Sequence, residues 1–202
     1  MTSTTLETKP PKRTRDPGAE ARLWWERYCH PQRGDPAVRA ELRRCRSPQD
    51  ALLVREAIVL ARRLSVGRNI TEKNAWRLEQ SLNLARVLAH VSADSPHGLM
   101  EDAGWKSFPG DRTDDSTAQP LLSELRFRRL IQAERGEELV AALVRLVQML
   151  GGTANVGELA NAFVFWGDRI KKGWTFSYYA AGIATPRDVS AEPSNTNEDD
   201  DE

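Results

Sequence analysis

Cysteine and histidine are scarce in this chain: two and three among 202 residues. Cys29 and Cys45 show no CxxC spacing, and two cysteines make no disulfide framework, so both read as reduced thiols. There is no Walker loop, no GxGxxG and no HExxH. No apolar run is long enough to span a membrane, and no stretch near Met1 has the apolar core of a signal peptide. The expected location is therefore cytoplasmic. Alternating apolar–polar runs and Asn-Gly hairpins are missing too, which argues against a sheet.

Net charge is also lacking, since 29 basic side chains balance 29 acidic ones. The balance hides an uneven distribution. Residues 184–202 hold seven acids against one base, a net −6, and residues 1–18 carry +2. The body between them carries +4. A mildly basic body with an acidic tail suits a polyanionic partner, although such an excess is small evidence by itself.

What remains is a helical pattern. "DPAVRAELRRC" offers Asp35 as an N-cap and Pro36 at the first helical position, with Val38, Leu42 and Cys45 recurring at helical spacing. "SPQDALLVREAIVLARRL" repeats the Ser-Pro start and puts Leu53, Ala57, Leu60 and Leu64 on one face. "TEKNAWRLEQSLNLARVLAHV" is apolar on several faces and reads as a central buried helix. Helices are expected again at 119–133, 137–150 and from Asn155 onward, with Gly151 and Gly152 closing the second of these. The last stretch aligns Val156, Leu159, Ala160, Phe163 and Val164, and Trp166, Ile170 and Trp174 continue it.

The expected fold class is all-α, two packed helical bundles with disordered tails. A Pro-rich basic arm occupies 1–18, where "KPPKRTR" is a solvated tail or a nucleic-acid contact. An N-terminal bundle spans 19–91, a Gly/Pro/Ser/Asp-rich loop or linker 92–118, a C-terminal bundle 119–183 and an acidic tail 184–202. A loop of that length inside a compact domain marks a boundary or a functional segment.

Catalytic chemistry finds little material. His30 adjoins Cys29, but a Cys–His pair is assembled in space rather than along the chain. Asp111, Asp114 and Asp115 in "GDRTDD" offer oxygen ligands without EF-hand spacing, so a solvated acidic turn is the simpler reading. No enzyme activity, metal or cofactor is expected.

The arginines are the positive signal. Arg39, Arg43 and Arg46 form a stripe beside Val38, Leu42 and Cys45, with Arg44 pointing elsewhere. In "SELRFRRLIQAERGEEL", Arg126 and Arg129 share one side, while Arg128 and Arg135, seven apart, share another. Arg145 stands opposite the apolar arc of its helix, and Arg169, Lys171 and Lys172 cluster in "GDRIKKGW". A guanidinium grips a phosphate with two hydrogen bonds and stays charged. Each arginine taken alone fits a solvated, salt-bridged face better, and it is the recurrence of clusters on four separate helices that brings a polyanion site level with that reading. Trp24, Trp25, Trp166 and Trp174 sit at helical spacing with Leu23, Phe163 and Ile170, so core or subunit-contact roles are expected before base stacking.

The ordered pattern "WW…RAxLRR…SExRFxxLI…WG…W…YY", running from about Ala19 to Tyr179, resembles the CasB family, the small subunit of the type I-E Cascade CRISPR surveillance complex. The resemblance implies an all-helical subunit without catalytic activity. Its partners would be other Cascade subunits, a second copy of itself, guide RNA and the target and non-target DNA strands, with no membrane. Its basic surface would support the guide–target hybrid and the displaced strand. On matching positions, Arg39, Arg43, Arg44, Arg126, Arg128, Arg129, Arg169, Lys171 and Lys172 become nucleic-acid contacts, and Arg135 and Arg145 fall where the family tends to be basic. The rival readings are a free-standing helix-turn-helix regulator, which needs one recognition helix, and a scaffold with no nucleic-acid role.

Overall fold

The computed structural model describes residues 16–64, 71–104 and 119–180, with the side chains of 72–74 excepted. The expected disorder of the arm before Asp16 and of the acidic tail, and the "GDRTDD" turn, lie outside the described residues.

Helix α1 (Pro17–Tyr28) starts where Asp16 caps it, its Oδ1 accepting from the amide of Gly18. The arm therefore ends earlier than the sequence suggests, because Asp-Pro-Gly is a helix start rather than a linker. Helix α2 (Pro36–Arg44) follows the expected design, with Asp35 accepting from the amides of Ala37 and Val38, and with Val38 and Leu42 buried.

The next expected helix is two. Helix α3 (Pro48–Leu52) opens with a Ser47/Asp50 capping box, and α4 (Arg55–Arg63) begins after a break at Leu53 and Val54. The break shifts the helical phase, so Val54 enters the core and Leu53, expected on the apolar face, is 85% exposed.

Helix α5 (Glu72–Leu88) is the axle of the fold: every residue from Gln80 to Ala89 is buried, and α2, α3, α4, α8 and α9 pack around it. Ala93–Asp94 (β1) and helix α6 (Leu99–Ala103) fall in the stretch expected as loop. Leu99, Met100 and Ala103 are fully buried, so part of that stretch belongs to the core.

Helix α7 (Glu124–Gln132) leads through a short connection to α8 (Glu137–Met149). Gly151 and Gly152 then take φ of 65° and 83°, the left-handed conformation that glycine reaches without steric cost. The Gly152 carbonyl accepts from the amide of Ser92, and β2 (Thr153–Ala154) pairs in parallel with β1, Ala93 opposite Thr153. These two-residue strands are the sheet found among the described residues.

Asn155 caps α9 (Val156–Phe165), and the chain breaks at Trp166–Gly167 before α10 (Asp168–Ala180). The continuous apolar stripe expected there is thus split between two helices. Residues from Ala21 to Tyr178 share one hydrophobic core, in which α1 packs against α9. A Cβ on Gly18 would lie 3.1 Å from the Gly157 carbonyl oxygen and 3.2 Å from its Cα, so the two helix backbones meet where neither bears a side chain. The fold is all-α.

Trp24, Trp25, Trp166 and Trp174 are all buried. The indole N–H groups of Trp24, Trp25 and Trp166 donate to the carbonyls of Glu56, Val91 and Ala133. A buried indole needs such a partner, and these three have found theirs inside the protein. Both cysteines are free thiols, and burial pushes the Cys29 thiol up to about 12.

Candidate nucleic-acid interface

A helix leaves its last carbonyls without intrahelical partners. At the end of α5 backbone amides of the following residues meet the carbonyls of Ala85, Val87 and Leu88, and arginines from α2 meet the next carbonyls, those of Ala89 and Val91. Arg39 donates through Nε to Ala89 O at 3.1 Å and through one terminal nitrogen to Val91 O and the Ser92 hydroxyl. Arg43 donates through Nε to Ala89 O at 2.8 Å. Two cations at the negative end of the helix dipole favour the same arrangement. The stripe expected to face a polyanion thus first holds a helix end. His90 lies in this field, and its pKa is lowered by burial first, then by Arg43, Arg39 and Arg86. Arg44 bonds back to Ala40 O on its own helix.

Helices α7 and α8 form a different site. Arg126 and Arg129 from α7 and Arg145 from α8 border an open groove of about 720 Å³ floored by Leu130, Leu146 and Met149. Among the described residues these three guanidinium groups make no hydrogen bond or ion pair, and all three are exposed. Glu138 is the one acid among the lining residues, and its Oε2 already accepts from the amide of Glu134. The sequence placed Arg126 and Arg129 on a common side; Arg145 joins them only because α8 packs back on α7. Arg128 has another partner, since it pairs with Glu124 at 2.6 Å while the Tyr179 hydroxyl donates to the same carboxylate at 3.0 Å. The hydrogen bond from Arg128, then that from Tyr179, lowers the Glu124 pKa.

Arg135 does not continue the α7 stripe, because α7 ends at Gln132. Its Nε and one terminal nitrogen donate to the carbonyl of Trp166, the C-cap of α9, and its guanidinium lies 5.6 Å from the Trp76 ring centre. Lys171 lies over the Trp166 ring at 5.4 Å. Arg169 and Lys172 are exposed and unpaired among the described residues.

Sequence reading passed over Arg86. This arginine is buried on α5, and both terminal nitrogens hold the Glu137 carboxylate at the start of α8. One of them also donates to Asn83, and Nε donates to Cys45 O. The available signal was a charge inside an otherwise apolar run, "NLARVLAHV". Among the described residues no group of three or more His, Cys, Asp or Glu is placed to hold a metal ion. No helix there is long and apolar enough to cross a membrane.

Residues 38–179 match the family model of CRISPR-associated protein Cse2. The chain belongs to that family. All eleven basic candidates lie inside the matched region, whereas the "WWERY" of α1 lies before it. The structure is similar to a chain in the crystal structure of E. coli Cascade bound to a PAM-containing double-stranded DNA target. The TM-score is 0.52 at 17% identity, over 81% of this chain and 93% of that one. At that identity the likeness bears on the fold. No curated protein matches the chain. Helix α1, which precedes the matched residues, packs against α9, where Gly18 approaches Gly157.

Proposed function

We propose that this chain is a non-catalytic, cytoplasmic subunit of a type I-E Cascade ribonucleoprotein in antiviral defence. Its partners are the other Cascade subunits, a second copy of itself, guide RNA and both DNA strands of the target. The subunit holds the sugar–phosphate backbone of the guide–target hybrid and of the displaced strand, and it leaves sequence reading to base pairing. R-loop formation is nearly balanced in free energy, so a few phosphate contacts suffice to tip it.

The observation that carries this reading is the α7/α8 groove in a chain of this family: three exposed arginines with no partner among the described residues. Unpaired guanidinium groups converging on one concavity fit a phosphate chain better than a solvated face, where such groups normally pair with neighbouring acids. Arg44, Arg169 and Lys172 are the next candidates, exposed and free of acidic partners among the described residues. Arg128 is available only if Glu124 releases it. Arg39, Arg43 and Arg135 each keep a carbonyl-capping role, and Lys171 keeps its place on Trp166.

The test is a salt titration of target binding by assembled complexes carrying Arg126→Gln, Arg129→Gln or Arg145→Gln. Each lost contact lowers the slope of log affinity against log salt by roughly 0.7 to 0.9. The loss is the same for every target the guide matches. Unchanged affinity and slope for all three variants would leave the scaffold reading in place. A loss confined to one target sequence would favour base readout.

A further inference from the structure

The arginine groove lies close to where the described chain ends. Tyr178 and Tyr179 immediately precede Ala180, the last residue of α10, and both pack on α7. The Tyr178 ring stacks on Phe127 at 3.9 Å, and its hydroxyl donates to the carbonyl of Leu122, a residue of the groove lining. Tyr179 meets the Phe127 ring edge-on and bonds Glu124. The described chain therefore ends beside α7, on the Phe127 and Glu124 side of that helix, and the sequence beyond it carries seven acids against one base between 184 and 202. The last five residues, Glu198 to Glu202, are all acidic.

We infer that this acidic segment docks in the α7/α8 groove of its own chain, its carboxylates taking the guanidinium groups of Arg126, Arg129 and Arg145. Charge complementarity supports the assignment, since the groove has three cations unpaired among the described residues and one acid already engaged by a backbone amide. Reach supports it as well. The eighteen residue steps from Ala180 to Glu198 span about 27 Å as a helix and about 60 Å when extended. Helix α7, nine residues, is only about 14 Å long. Tethering also makes the encounter intramolecular, at an effective concentration in the millimolar range for a short linker, which a second copy must match by mass action. On the reading of the groove as a phosphate site, the tail is a competitor that nucleic acid displaces. Weak, non-specific polyanions are then excluded more effectively than the target held by a whole complex.

The experiment uses the full chain, native or with Glu198→Gln, Asp199→Asn, Asp200→Asn, Asp201→Asn and Glu202→Gln together. Arginine Nε–H resonances report docking directly. Those of Arg126, Arg129 and Arg145 should differ between the two proteins, while those of Arg44 and Arg169 coincide. Binding of a fluorescein-labelled oligo-dT strand should tighten about three- to tenfold on neutralisation, as expected if the tail fills the groove for two-thirds to nine-tenths of the time. The gain should fade as salt is raised. Coincident resonances at all three groove arginines would overturn the proposal. So would equal shifts at Arg44, because the tail would then act as a diffuse charge. If the groove resonances move but neither protein binds the strand, docking stands and the nucleic-acid reading of the groove fails.

Discussion

Removing Glu137 should cost more stability than removing the buried arginine it pairs with. The Arg86 side chain is 8% exposed, whereas that of Glu137 is 54% exposed. In Arg86→Met, the freed carboxylate hydrates where it stands. The cost is confined to the acceptors left at Cys45 O and Asn83 Oδ1, offset in part by an apolar side chain of similar length. Unsatisfied acceptors of this kind cost about 1–3 kcal/mol. In Glu137→Ala the guanidinium stays buried with its charge uncompensated, although two of its hydrogen bonds persist. Breaking a fully buried pair from one side costs about 3–5 kcal/mol. Half-exposure of the carboxylate lowers that to about 2–4 kcal/mol, because solvent already screens part of the pair. For a body of this size each kcal/mol moves Tm by about 2–4 °C. Glu137→Ala should therefore melt roughly 4–16 °C below the parent chain.

The sign that discriminates is in the double variant. Arg86→Met/Glu137→Ala no longer buries a charge, so it should be more stable than Glu137→Ala alone. Thermal and urea unfolding of the four proteins closes the cycle. A double variant less stable than both singles would refute the argument. It would mean that Arg86 matters as the tie between α2, α5 and α8 rather than as a charge needing an answer.

Trp166→Ala should destabilise by about 3–5 kcal/mol, because the ring is buried against Trp174 and its N–H holds Ala133 O. Unchanged unfolding with weakened single-strand binding would instead make Trp166 a stacking platform. His90 should make stability fall with acid. Its folded pKa lies below the ordinary 6.5, so the unfolded chain takes the proton first as pH drops. The group therefore contributes fully above about pH 6.5 and loses stability below it, by at most about 1.4 kcal/mol per pH unit. His90→Asn should flatten the pH dependence of urea midpoints in that range; an unaltered slope would locate the acid sensitivity elsewhere.

Local chemistry was legible in the sequence wherever the deciding partner was a near neighbour. Asp35 and Pro36 start α2, Gly151 and Gly152 end α8, and the all-round apolar run makes α5 the buried axle, because caps, φ and burial pattern are written within a few residues. Leu53 shows the limit. Its spacing with Ala57 and Leu60 is helical, but the break at 53–54 resets the phase and hands the core position to Val54. The arginines show it more sharply. Arg39 and Arg126 look alike in sequence, each one helical step from an apolar stripe. One is consumed by carbonyls about fifty residues away, and the other finds nothing among the described residues.

A charge pattern thus fixes where cations leave a helix but not what they meet, because the competing acceptors are helix ends that only tertiary packing brings near. The same reasoning sorts the experiments. An arginine that caps carbonyls changes folding and binding together when substituted, so Arg39, Arg43 and Arg135 cannot separate a scaffold from a phosphate site. Arg126, Arg129 and Arg145 can, since no acceptor among the described residues is orphaned by their loss. A binding defect in those variants, with unfolding unchanged, therefore reports on the ligand rather than on the fold.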